Sequence, residues 1–302
     1  MMAASKSIGL RGQVLRNEPM AKHTSWRVGG LADYFFKPAD RDDLIQLLQT
    51  THEPILFVGL GSNLLVRDGG IRGWVVCLQG VFEKLSIDAE TGIVLAEAGV
   101  SCAQLARAVT RQGLIGAEFF AGIPGTLGGA LAMNAGAFGG ETWNVVQRVE
   151  WLSMSESYQW MNKDQFLTAY RHVTTPAQGW FFAAELKFSK VESSDAIKAG
   201  EERIKELLNQ RSTTQPIGVY SCGSVFKNPP NNYAARLIES CGLKGFRMGD
   251  AEVSPKHANF IVNRGKASAI DIERLIGHVQ TVVMRDTGIS LQTEVRVVGD
   301  AS

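Results

Sequence analysis

No Cys-x-x-Cys pair occurs in this sequence. Its four cysteines, Cys77, Cys102, Cys222 and Cys241, are scattered, which argues against a zinc ribbon and a disulfide-stapled scaffold and points to a reducing compartment. Net charge is nearly absent as well: Lys and Arg total 31 against 30 Asp and Glu, so there is no broad basic field for a nucleic acid. The opening residues, MMAASKSIGLRGQV, lack an apolar core of signal-peptide length, and a cytoplasmic location is expected. Neither an internal repeat nor a low-complexity tract is visible. What remains is a globular composition, 302 residues with 45% apolar and 20% charged side chains, long enough for two or more domains.

One stretch lacks charge altogether. AGIPGTLGGALAMNAGAFGG, residues 121–140, holds seven glycines and one proline. It has no Gly-Lys-Ser/Thr, so it is not an ATPase-type phosphate loop. Its length would suit a membrane span, but the glycines and proline break helices and dilute hydrophobicity, and Asn134 sits in its middle. A flexible linker would be richer in serine, whereas Leu127, Leu131, Met133 and Phe138 call for packing. The reading left is an ordered loop whose backbone N–H groups face a ligand.

Around it the sequence reads as α+β. WRVGGLADYFFKP, PILFVGLGSNLLV, GWVVCL, KLSID, IVLAEAG, VVQRVEWLS and GWFFAAELKFS read as strands and turns. ADRDDLIQLLQ is a helix with Asp40 as N-cap, and SCAQLARAVTRQG is a helix with a Ser101/Gln104 capping box and a stop at Gly113. After about residue 190 comes a charged amphipathic helix, SSDAIKAGEERIKELLNQR, with Lys198, Glu202, Lys205 and Glu206 on its wet sides. NNYAARLIESCG and the Ser268-capped SAIDIERLIGHVQTVVMRDTG are further helices, and ANFIVN and LQTEVRVVG are strands. Two domains are expected, 1–190 and 191–302.

VGLGSNLLV, residues 58–66, brings a strand into a Gly-x-Gly turn with Ser62 and Asn63 beside it, a cradle suited to a pyrophosphate. It is not the Rossmann fingerprint, because a strand rather than a helix follows. Taken alone, Gly-x-Gly is most often a plain turn. Two glycine-dense loops without a phosphate lysine, in one α+β region, suit a bulky diphosphate cofactor held by backbone, and FAD fits that description.

HTSWRVGGLADYFFKP, LGSNLLVRDGGIRGWV, AGIPGTLGGALAMNAGAFGGE, AYR at 169–171, SCGSVFKNP, AARLIESCGLKG and LQTEVRVVG together resemble the UDP-N-acetylenolpyruvoylglucosamine reductase family, in that family's order and from about residue 20 to 299. The resemblance implies an FAD-binding domain of the vanillyl-alcohol-oxidase type, in two α+β lobes, followed by a smaller α+β substrate-binding domain. It implies FAD, NADPH as hydride source, a UDP-sugar substrate and no metal, with no nucleic acid, membrane or obligate protein partner. It places Gly59, Leu60, Gly61, Ser62, Asn63, Leu64 and Leu65 on the FAD diphosphate. Gly122, Ile123, Pro124, Gly125, Thr126, Gly128 and Gly129, with Asn134, Ala135, Gly136 and Ala137, fall along the rest of the cofactor, the glycines letting the backbone close on it. The catalytic residues fall on Arg171, Ser224 and Glu294. Tyr170, Lys227 and Asn228 resemble substrate-binding positions; Arg211, Gln215, His257 and Asn259 are weaker candidates.

Each of these has a plainer reading. Arg171 could be a solvated arginine, Ser224 a turn serine bonding its own backbone, Glu294 part of a wet strand face, and His257 a histidine satisfied by backbone. The sequence also departs from the family pattern: Val173 stands where many members have a serine, and the short link after ELKFS leaves no room for an extra substrate-capping loop, as in the compact subtype. A flavin oxidase on the same fold, an acyl-transfer enzyme using Cys222 with His257, and a nucleotide-binding scaffold are the rival functions.

Overall fold

The computed structural model describes residues 9–153, 157–191 and 193–301. Most of the N-terminal segment read for a targeting signal lies outside the described residues. The chain forms two compact units. One comprises the residues up to Leu15, Phe35–Gly59 and Trp74–Asn209; the other comprises Arg16–Tyr34, Leu60–Gly73 and Gln210 onward. The units interleave in sequence because two N-terminal segments pack with the C-terminal part: Trp26, Val28 and Leu65 belong to the same apolar core as Val225, Phe226, Ile272 and Val295.

The first unit is built on a five-stranded antiparallel sheet. Its order is Tyr158–Asn162, Val146–Ser153, Gly179–Lys187, Ile93–Glu97, Leu85–Asp88. The helices Cys102–Arg111 and Leu127–Met133 contribute Leu105, Val109, Leu127 and Leu131 to the core beneath it. Ser101 Oγ accepts from Gln104 N–H; only that half of the expected capping box forms. The uncharged run is not loop throughout, since Leu127–Met133 is a short helix despite its two glycines. Burial of Leu127, Ala130 and Leu131 outweighs a glycine penalty of about 1 kcal/mol per residue. Ile55–Val58 runs parallel to Ile71–Cys77, with Ile55 opposite Trp74.

In the second unit Leu64–Val66 pairs in parallel with Arg296–Val298. A small antiparallel sheet joins Arg247–Met248, Ala251–Val253 and Ile261–Asn263. The helix Ala269–Thr287 starts at a full capping box between Ser268 and Asp271 and ends at left-handed Gly288. Asp68, just past Leu64–Val66, accepts from the N–H groups of Ala269 and Ile270 at 3.0 and 2.9 Å. A carboxylate at a helix N-terminus satisfies orphan donors and opposes the dipole. No helix among the described residues is long and apolar enough to cross a membrane.

Because Asp68 anchors the strand that carries the Gly-Ser-Asn turn, Asp68→Ala should lower stability by about 1–2 kcal/mol, read from the urea midpoint, with a smaller loss for Asp68→Asn.

Candidate active site

In the first unit the two glycine motifs meet. Gly59 closes the strand Ile55–Val58, and a Cβ there would stand 2.5 Å from Thr126 Oγ1. A Cβ there would force the Thr126 side chain to shift, so glycine suits this close approach between loops 67 residues apart. Gly122, Gly128 and Gly136 are crowded in the same way by Phe138, Ala98 and Gly140. For these positions the close approach is to the protein's own atoms, so their glycines shape the loop before any ligand is considered. Gly129 differs. It is exposed, and an added Cβ would meet only Thr126 Oγ1, at 3.8 Å.

The run then folds onto Arg171. Asn134, 2% exposed, caps the helix Leu127–Met133 at φ 47°. Its carboxamide donates to Glu141 Oε2 and Ala169 O and accepts from Trp143 N–H. The Asn134 side chain is thus tied to the framework on three sides. Glu141, the first charge after the run, belongs to this arrangement although the sequence reading gave it no role. Tyr170 and Arg171 form the two-residue turn between Leu167–Ala169 and His172–Thr174. Arg171 sits at φ 53°, a conformation natural to glycine or asparagine that costs other residues about 1–2 kcal/mol. Its guanidinium donates to Gly136 O at 2.8 Å and Asn134 O at 3.4 Å and stacks 5.0 Å from the Tyr170 ring. A strained backbone bearing a fixed guanidinium is unlike a solvated surface arginine. Val173 packs against the core.

In the second unit the Gly-Ser-Asn turn lies beside Glu294. Asn63 Nδ2 donates to Glu294 O at 3.0 Å, and Arg296 N–H donates to Asn63 O. The N–H groups of Leu60, Gly61 and Ser62 donate to no protein acceptor among the described residues. Three such consecutive donors, with Gly61 at φ 62°, suit the oxygens of a diphosphate, so the loop fits the cofactor read from its sequence. The side chains of Leu64 and Leu65 are buried in the strand.

Glu294 is half-buried and precedes the strand Arg296–Val298 instead of lying on it. Its N–H donates to Val225 O at 2.8 Å, and Lys227 N–H donates to Gln292 O. The segments carrying Ser224 and Glu294 are thus hydrogen-bonded neighbours. The Ser224 hydroxyl makes no hydrogen bond to the turn or to other protein groups among the described residues. Lys227 is half-buried. Asn228 is exposed, and its Oδ1 accepts from Ala234 N–H at the start of the helix Ala234–Ser240. Arg211 is half-buried, its Nε bonds Gln215 Oε1 at 3.0 Å, and no carboxylate pairs with it among the described residues. His257 Nδ1 accepts from Asn259 N–H, and burial holds this imidazole below its ordinary pKa. Asn259 is 4% exposed, with its carboxamide on the Phe226 backbone.

The Cys222 alternative fails on chemistry. The thiol is 3% exposed, sits against Gly61 O and Leu64 O, and is pushed up to about 12 by burial, so no thiolate nucleophile exists near neutrality.

Residues 32–160 match the FAD binding domain family, and residues 215–298 match the family described as UDP-N-acetylenolpyruvoylglucosamine reductase, C-terminal domain. The chain is 54% identical to the UDP-N-acetylenolpyruvoylglucosamine reductase of Methylococcus capsulatus, over 99% of this chain and 97% of that one. It is 48% identical to that of Legionella pneumophila, over 97% and 94%. The crystal structure of the enzyme from Thermus caldophilus superposes with a TM-score of 0.80 at 32% identity, covering 95% of this chain and 99% of that one. The 6-hydroxy-D-nicotine oxidase of Arthrobacter nicotinovorans shares the fold alone, at TM-score 0.56 and 11% identity over 97% and 91% of the two chains.

Gly129→Ala separates fold from cofactor. Alanine in a helix is favoured over glycine by up to about 1 kcal/mol, so the flavin-free protein should melt no lower than the parent. Flavin retention through gel filtration should nevertheless fall, because the new methyl projects from the exposed side of the helix Leu127–Met133, where the sequence reading expects the cofactor.

Proposed function

The chain belongs to the UDP-N-acetylenolpyruvoylglucosamine reductase family, and from that premise we propose which of its residues carry the family's reaction. The protein is an FAD-dependent oxidoreductase that uses NADPH to reduce the enolpyruvyl group of a UDP-sugar, giving UDP-N-acetylmuramate for peptidoglycan. FAD held by these residues would supply hydride-transfer chemistry between NADPH and the terminal carbon of the substrate's enol ether. We assign FAD binding to the region up to about residue 190 and substrate binding to residues 191–302, a functional division distinct from the packing units, in a cytoplasmic enzyme.

The N–H groups of residues 60–62 and the loop from Gly122 to Ala137 hold the cofactor by backbone. Arg171 grips the substrate carboxylate, for which a planar fork is suited. Hydride addition leaves enolate-like charge beside that carboxylate, which Arg171 stabilises by its charge and Glu294, carrying a proton, by donating a hydrogen bond. Ser224 gives its proton to the carbon next to the carboxylate. Lys227, Asn228 and Tyr170 contact the substrate, and Arg211 with Gln215 faces its nucleotide end, where a half-buried cation with no carboxylate partner among the described residues meets a diphosphate.

The observation that carries this assignment is the pinning of the Ser224 segment beside the Glu294 segment while the Ser224 hydroxyl makes no hydrogen bond to protein among the described residues. Ser224→Ala should leave flavin reduction by NADPH near the parent rate and slow flavin re-oxidation by the enolpyruvyl substrate by about 10²–10⁴-fold. Stopped-flow absorbance resolves the two half-reactions; equal slowing of both would make Ser224 a structural turn residue. Arg171→Lys should not restore turnover, because a point charge does not reproduce a bidentate grip. Near-normal turnover in that variant would remove Arg171 from the anchor role.

A further inference from the structure

The residues that follow Ser224 are hydrogen-bonded to Asn259. Asn259 Oδ1 accepts from Phe226 N–H at 2.9 Å, and Asn259 Nδ2 donates to Phe226 O at 2.8 Å. The Asn259 carbonyl accepts from Val225 N–H at 2.9 Å. One side chain thus imitates a paired strand along one edge of the segment. Along the other edge Phe226 bridges Thr293, and Val225 O accepts from Glu294 N–H. The segment after Ser224 is held as the middle member of three, with Asn259 on one side and the Glu294 segment on the other. Val225 and Phe226 are buried, so their side chains fix depth, and the carboxamide fixes position along the segment. Asn259 is itself held, since its N–H bonds His257 Nδ1 at 3.3 Å.

We propose that Asn259 is a positioning residue for the proton-transfer step, clamping the Phe226 backbone so that Ser224 keeps its register beside Glu294. The proposal rests on the reading of Ser224 as proton donor. Its chemistry is specific to a carboxamide. Only a group that donates and accepts at once satisfies both Phe226 groups. An ionised carboxylate at the same place would set its charge against the Phe226 carbonyl, whereas a protonated carboxyl would again donate and accept.

The test uses the full-length, FAD-loaded enzyme and its two half-reactions. Asn259→Asp and Asn259→Ala should keep their flavin and be reduced by NADPH within about twofold of the parent rate. Re-oxidation by the enolpyruvyl substrate should slow by about 10–100-fold near pH 8, the scale of a small misplacement of a reacting group. As pH falls toward about 6, Asn259→Asp should recover relative to the parent, because a buried carboxyl facing a carbonyl has a raised pKa. Asn259→Ala should not recover, and this divergence is what a merely structural role would not produce. Equal slowing of both half-reactions, parallel pH profiles for the two variants, or loss of flavin or folding in Asn259→Asp would overturn the proposal. Ser224→Ala measured alongside separates the two claims. If it slows re-oxidation while the Asn259 variants do not, the clamp fails and the proton donor stands. If Ser224→Ala re-oxidises normally, the donor reading itself fails.

Discussion

The hydrogen bonds on either side of residues 294–296 are the constraint on which the second unit's chemistry depends. Asn63 binds this segment at Glu294 O and Arg296 N–H, and Val225 O receives Glu294 N–H. Three pieces of chain distant in sequence become neighbours: a turn whose N–H donors meet no protein acceptor among the described residues, the Glu294 segment and the Ser224 segment. A backbone ladder suits this task because each bond fixes direction as well as distance, and the apolar core beneath, with Leu65, Val225, Phe226 and Val295 buried, keeps water from competing for it.

The first unit solves a different problem. Its uncharged run has no side chain with which to hold a ligand by charge, so it relies on shape. Crowding of Gly59 against Thr126 and of Gly128 against Ala98 sets the loop's path. Asn134 ties it to Glu141, Trp143 and Ala169. Arg171 closes the arrangement through Gly136 O, held at a left-handed turn position that the surrounding bonds must overrule. Glycine here serves the packing of protein on protein as much as the approach of a ligand, which residue type alone could not distinguish.

Much of the architecture was legible because local signals and tertiary packing agree. Asp40 and Ser268 cap the helices expected of them, and the apolar runs at 55–58, 71–77 and 179–187 are strands. The signal failed where burial outweighed propensity, as in the helix Leu127–Met133, and where a strand pattern ran past its pairing partner, as at residues 291–295. The candidate site was legible as motifs. The roles of Asn134 and Asn259 were not, because a buried asparagine that satisfies distant backbone resembles, in sequence, one that meets a ligand.

By itself the sequence determined the α+β class, the cofactor's chemistry and the family, since these follow from glycine loops without a phosphate lysine and from motif blocks in a fixed order. Tertiary structure alone decided that Trp26 and Leu65 pack with the C-terminal core, that Arg171 stands at a strained turn, and that Asn63, Val225 and Asn259 arrange the segments carrying Ser224 and Glu294. The physical reason is that composition and periodicity report local preference and burial, whereas hydrogen bonds between segments more than 200 residues apart, such as Asn63 to Glu294, exist only once the chain has folded.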